Sequence, residues 1–239
     1  MLCQLSYAGG LVPHRSRRGV GGARRFLRGL CRSGGGLVRV GGETNEEGIG
    51  VGTLVLVEHV SLDGVMQAPA AADEDVRGGF ARGGWALAGN DEVMGAELGK
   101  RMGGDGALLL GRRTYEQFYG YWPKQTDGNP YTEALNRVTK YVVSRTLREL
   151  PWENSVLVGD VAEVAGIKRR QGLTVLGSGE LSGELMRRGL VDGLMLMIHP
   201  VVLGSGRRLF GGVEVPLRLV SEVTSTTGVL IATYEKEEA

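Results

Sequence analysis

The sequence predicts an α/β protein with a mostly parallel central sheet and an antiparallel edge at its C-terminal end. Three observations lead there. Short, continuous apolar runs, typical of strands covered on both faces, alternate with helical patterns along the body of the chain. Several of these runs end in a glycine or small polar residue that opens the next helix. The last two runs, residues 217–223 and 229–235, are joined only by Thr-rich residues and Gly228, the spacing of an antiparallel pair.

The body begins with a buried strand at 53–57, followed by the turn-type cluster Ser61-Leu62-Asp63-Gly64. Residues 67–89, rich in Ala, Gly and Asp, have little periodicity and read as a long functional or disordered loop anchored by Trp85. A helix capped by Asn90 or Asp91 runs through Val93, Met94, Leu98 and Met102. A strand at 107–110 enters a helix through Gly111-Arg112-Arg113-Thr114-Tyr115-Glu116, and Tyr121-Trp122-Pro123 closes it. A helix at 130–138 and a strand at 140–143 ending in Ser144-Arg145-Thr146 come next, then a strand at 155–158 and a helix at 161–170. The strand 173–176 turns at Gly177-Ser178-Gly179 into a helix with Leu181, Leu185 and Met186 on one face, and a strand at 194–202 completes a β-α-β unit.

Composition narrows the function. Only Cys3 and Cys31 occur, so the body has no thiolate nucleophile or thiolate metal site, and the chain suits a reducing cytoplasm. No apolar run approaches the roughly 18 residues of a membrane span. Residues 1–42 hold eight Arg and no Asp or Glu, leaving the rest of the chain at a formal −7, a poor balance for general nucleic-acid binding. The Gly/Arg-rich residues 1–52 admit a targeting presequence or an RNA-binding tail, but composition favours a disordered extension, with the folded domain at 53–239.

Three strand ends carry small or basic residues: Gly111 to Thr114, Ser144 to Thr146, and Gly177 to Leu181. Ligands of open α/β sheets bind beyond the carboxyl ends of the strands, so these loops are expected to converge. The spacing G-x-G-x-x-x-G from Gly177 to Gly183 is a weak signal alone in a chain with 41 glycines. Arginine beside a hydroxyl in two loops, and bare backbone N–H groups in the third, suit a dinucleotide with an extra phosphate, NADPH rather than NADH.

These residues also carry a resemblance. Ser61-Leu62-Asp63-Gly64, LLLGRRTYE at 108–116, Tyr121-Trp122-Pro123, Ser144-Arg145, LGSGEL at 176–181, Gly189-Leu190-Val191-Asp192 and HPVVLGSGRRLF at 199–210 occur in order. Over about residues 53–236 the chain resembles the dihydrofolate-reductase-like family. It is most similar to stand-alone relatives of the C-terminal reductase domain of riboflavin-biosynthesis deaminase-reductases. The resemblance implies a three-layer α/β/α sandwich, NADPH as cofactor and a homodimer. By position, Gly111, Arg112, Arg113 and Thr114 would hold the adenosine side and pyrophosphate, and Ser144 and Arg145 the 2′-phosphate. Gly177, Ser178, Gly179, Glu180 and Leu181 would line the pyrophosphate and nicotinamide side. Two features depart from dihydrofolate reductase: Gly177-Ser178 replaces a Gly-Gly pair, and the acid of the first long helix has no clear counterpart among Asp91, Glu92 and Glu97.

The expected function is NADPH-dependent reduction of a small heterocycle, pterin-like or ribosylaminopyrimidine-like as in riboflavin synthesis. An NADP(H)-binding sensor or scaffold without turnover is the alternative. Asp63 and Asp91 are weak catalytic candidates: Asp63 is equally explained as a turn former, and Asp91 is better explained as a helix cap. His59 and His199 have no metal-site spacing, and Trp85, Tyr115 and Trp122 are candidates to stack on a flat ring or to fill the core. A second copy of the chain would meet it through the apolar strand 194–198 or the C-terminal strands.

Overall fold

A computed structural model of the protein describes residues 52–102, 104 and 106–237, so the extension expected over 1–52 lies outside them apart from Gly52. In chain order the elements are β1 (Leu54–Ser61), α1 (Glu92–Met102), β2 (Ala107–Gly111), α2 (Arg112–Tyr121), α3 (Pro130–Arg137) and β3 (Lys140–Val143). They continue with β4 (Ser155–Val158), α4 (Val164–Lys168), β5 (Leu173–Leu176), α5 (Gly179–Arg187), β6 (Gly193–His199), β7 (Leu217–Thr224) and β8 (Leu230–Lys236). The eight strands form one sheet in the order β4-β3-β2-β5-β1-β6-β8-β7. The first six in that row are parallel, β8 runs antiparallel to β6, and β7 runs antiparallel to β8.

Two cores separate the layers. On one face Leu54, Leu56 and Val60 of β1 pack with Val164 and Ile167 of α4 and Leu181, Leu185 and Met186 of α5. On the other, Val57 and the β2 residues Leu108 and Leu110 pack with Met94 and Leu98 of α1, Tyr115 of α2 and Leu135 of α3. The alternation of side chains along a strand divides β1 between the two, and the result is the expected α/β/α sandwich.

The structure moves several expected boundaries. The first strand does not stop at Val57 but continues to Ser61, carrying Glu58 and His59 with it. The expected strand 194–202 ends at His199, because Pro200 offers no N–H to a ladder. The expected helix 161–170 opens as a 3-10 turn capped by Asp160, and its α-helical part spans five residues. Strand 194–198 offers no edge to a second copy: as β6 it lies inside the sheet between β1 and β8, whereas β4 and β7 are the edge strands.

Long-range hydrogen bonds explain two of the phrases that carry the resemblance. Asp63 accepts from Leu203 N and Gly204 N at 3.0 and 2.9 Å and from Ser61 Oγ at 2.7 Å, pinning the Ser61–Gly64 turn to the 203–206 loop. Asp192 accepts from Leu54 N and Lys168 Nζ, both at 2.6 Å, and so ties β1 to α4. Residues 67–89 form a knit wall. Buried Gln67 donates to the carbonyls of Asp75 and Arg77 and accepts from Arg207 N, while Trp85 Nε1 donates to Gln67 O.

Candidate functional site

The carboxyl ends of β2, β3 and β5 open into one cleft of about 840 Å³, within the usual range for small-molecule sites. All eleven residues expected to hold the cofactor line it: Gly111, Arg112, Arg113, Thr114, Ser144, Arg145, Gly177, Ser178, Gly179, Glu180 and Leu181. Helices α2 and α5 both begin at its wall, and neither N-cap residue, Gly111 or Ser178, caps its helix through a side chain. Two sets of first-turn N–H groups are therefore left without side-chain acceptors beside the cleft.

The glycine turn is built by close approach. Gly177 and Ser178 take φ of 62° and 71°, both left-handed. A serine there is strained. It is held by its hydroxyl, which accepts from Gly111 N at 2.8 Å and donates to Thr114 Oγ1 at 2.7 Å. The same contact clamps the β2–α2 loop to the β5–α5 loop. At Gly179 a Cβ would lie 2.2 Å from Met66 Cε, so the α5 start admits no larger residue without displacing that methionine.

Seven arginines line the cleft, in a body that is otherwise acidic. They differ in engagement. Arg112 pairs with Glu116 one turn along α2. Arg77, Arg113 and Arg207 converge on the exposed Glu180, and Arg77 and Arg207 also hold Asp75. Hydrogen bonding to Arg77 brings the Asp75 carboxyl down to about 2. Arg145 is exposed and carries no ion pair among the described residues. Beside it, the Ser144 hydroxyl accepts from Thr146 N and Leu147 N, which spends its lone pairs on shaping the loop.

The weak catalytic candidates lie elsewhere. Neither Asp63 nor Asp91 lines the cleft. Asp63 makes the staple described above, and its backbone donor from Leu203, with Ser61 Oγ, holds it at about 2. Asp91 caps α1 through Met94 N and binds Thr226 through both N and Oγ1. Glu92 and Glu97 also stay outside the cleft, Glu97 pairing with Lys100. Of the aromatic candidates, Tyr115 is core and accepts from Trp152 N, and Trp85 stands edge-on to His199; Trp122 reaches the cleft wall.

The cleft contains titratable groups not anticipated from the sequence. Glu58 of β1 lines it, is 3% exposed, and receives one hydrogen bond, from Ser182 Oγ to Oε1 at 2.9 Å. Burial pushes its carboxyl up to about 8, against the opposing Ser182 bond and with Glu74 adding to the rise. Glu74 is itself raised by burial, against hydrogen bonds from Ala70 N and Ala71 N. On the opposite face of β1, His59 Nδ1 lies 2.8 Å from His199 Nε2. Burial, reinforced by His199, lowers His59 to about 3, and burial lowers His199 to about 4, so the pair is neutral near pH 7. The detectable signal for Glu58 was a carboxylate directly after the apolar run Leu54 to Val57, inside the strand LVLVEHVS.

This mostly parallel α/β/α sandwich, with its antiparallel C-terminal edge and a polar cleft over the carboxyl ends of its strands, shares the dihydrofolate-reductase-like class of folds. Comparisons with known proteins agree. Dihydrofolate reductase from Enterococcus faecalis, a structure complexed with NADP(H), superposes with a TM-score of 0.50 at 16% identity, covering 79% of this chain and 98% of that one. A pyrimidine reductase-like protein from Corynebacterium diphtheriae superposes with a TM-score of 0.56 at 13% identity, covering 78% and 92%. These likenesses concern the fold. In sequence, YyaP, an uncharacterized protein of Bacillus subtilis (strain 168), is 33% identical over 136 residues, 53% of this chain and 72% of YyaP. The RibD C-terminal domain profile matches residues 53–231, and the chain belongs to that family.

Proposed function

We propose that the protein is an NADPH-dependent reductase of a small, flat heterocycle, pterin-like or ribosylaminopyrimidine-like. The observation that carries this reading is the meeting of the three loops in one cleft, with two helix N-termini and an exposed Arg145 that has no ion pair among the described residues. Bound NADPH supplies hydride chemistry. The chain's own part is placement. First-turn N–H groups of α2 and α5 favour the pyrophosphate, and Arg112, Arg113 and Arg145 favour the remaining phosphate.

Binding without turnover is the second reading, favoured by the absence of Asp91, Glu92 and Glu97 from the cleft lining. Titration of the purified protein with NADPH and NADH, beside an Arg112→Ala/Arg145→Ala double variant, tests the cofactor. NADPH is expected to bind at least tenfold more tightly than NADH, with that preference lost in the variant, as removal of about 1.4 kcal/mol or more of phosphate contacts requires. Equal affinities in the wild type, or no binding, would sink the cofactor assignment. NADPH oxidation with dihydropterin and ribosylaminouracil acceptors then separates enzyme from binding module. The same reading makes the protein a homodimer, with the exposed Leu219 and Val220 of edge strand β7 as the surface for a second copy. A monomeric mass by light scattering would remove that part.

A further inference from the structure

Reducing a C=N or C=O bond requires a proton as well as a hydride, and the acids near the start of α1 do not reach the cleft. Another carboxyl does. Glu58 projects from β1 toward α5, and the adjacent backbone carbonyl, Val57 O, accepts from Gly177 N, so Glu58 lies next to the glycine turn. Ser182 Oγ, fully buried, donates to Oε1. Among the described residues Oε2 has no hydrogen-bond partner, and neither Lys nor Arg pairs with the group. The charged groups that line the cleft with it include Glu74, the cluster of Asp75, Arg77, Arg207 and Glu180, in which two acids meet two bases, and on α5 Glu184, which pairs with Arg187 and Arg188. A buried carboxyl with one neutral donor, no cation and a second acid nearby keeps its proton.

We propose that Glu58 is the proton donor of the reduction, holding its proton on Oε2 toward the cleft while Ser182 orients Oε1. This rests on the reductase reading above. The step balances. The substrate carbon accepts the hydride with its two electrons from the dihydronicotinamide, and the π pair of the C=N or C=O bond moves to the heteroatom. The heteroatom takes the proton from Oε2, leaving a Glu58 carboxylate that solvent reprotonates. A carboxyl raised to about 8 suits this role, since it is protonated at neutral pH yet close enough to it to give the proton up.

The test uses the full-length protein and Glu58→Gln, which keeps an acceptor for Ser182. Three measurements are made on each: NADPH affinity, the infrared carbonyl stretch of protonated carboxyls across pH 6 to 10, and NADPH oxidation with dihydropterin and ribosylaminouracil acceptors. The expected result is unchanged NADPH affinity, and a protonated-carboxyl band that disappears above about pH 8 in the wild type and is missing from the variant. Turnover should fall about 10²- to 10³-fold in the variant, the usual size of a general-acid contribution. Wild-type turnover should decline above about pH 8, and the residual activity of the variant should lack that decline. A variant with wild-type turnover and pH profile overturns the proposal, as does a wild type without the titrating band. A wild type that fails to bind NADPH overturns the cofactor reading instead. One that binds it but oxidises it with no acceptor overturns the reductase reading together with the donor role.

Discussion

Ser178 shows how one residue holds the site together. It sits in a left-handed conformation that costs a non-glycine residue about 1–2 kcal/mol, and its hydroxyl bridges Gly111 N and Thr114 Oγ1. Ser178→Ala keeps the strain and strands the Gly111 donor, so it should destabilise the protein by about 1–3 kcal/mol in chemical denaturation. Ser178→Gly relieves the strain and should cost less; the reverse order would refute this account. The His59–His199 pair makes a second prediction at this scale. Each imidazole is held well below its ordinary 6.5 by burial. Below about pH 6.5 the unfolded chain gains protons that the folded protein refuses, so stability present above that pH is lost as the pH falls toward 4. Urea midpoints at pH 7 and pH 5 should separate more for the wild type than for His199→Gln, and equal separations would exclude the pair as the cause. The serine turn was visible as a glycine-rich strand end. The histidine pair was not, because its members lie 140 positions apart and meet only through the parallel register of β1 and β6.

Elements meet in this fold through polar staples as much as through apolar faces. The Ser61–Gly64 turn and the 203–206 loop, far apart in sequence, are joined through Asp63. Asp63→Ala leaves Leu203 N and Gly204 N without their acceptor and should lower Tm while NADPH affinity stays at the wild-type value. Unchanged Tm with weakened NADPH binding would instead make Asp63 a ligand contact. Strand and helix positions followed from apolar periodicity, and β5 matches its expected span at both ends. The boundaries that shifted are those where a polar residue continued an apolar element. Glu58 and His59 extend β1 because β6 goes on pairing with it as far as Ser61 after β5 has ended opposite Val57, and the cleft accommodates their side chains. Residues 67–89 had no period to read. Their order comes from Gln67, Trp85 and the small core of Val65, Ala68, Phe80 and Leu203.

Across the whole molecule, charge is sorted by place. The chain from residue 43 onward is formally −7, and the seven arginines that line the cleft share it with Glu58, Glu74, Asp75, Asp160, Glu180 and Glu184, so the positive charge open to a compact anion is local, at Arg145 and the two helix N-termini. NADPH affinity should therefore weaken several-fold when ionic strength rises from about 0.05 to 0.5 M, as the Debye length shrinks from roughly 14 Å to about 4 Å. Salt-independent binding would mean that the arginines do not carry the phosphates. The sequence by itself determined the mostly parallel α/β class, the antiparallel C-terminal edge and the three loops at the strand ends, because apolar period and glycine placement are local properties of the chain. Only the tertiary structure decided which groups the cleft contains beyond those loops. The sheet order sets β1 between β5 and β6, which buries Glu58 beneath α5 and brings it beside Ser182, 124 positions away. A pairing of that kind leaves no mark on local sequence, since it depends on which strands become neighbours and on how much water the packed layers exclude.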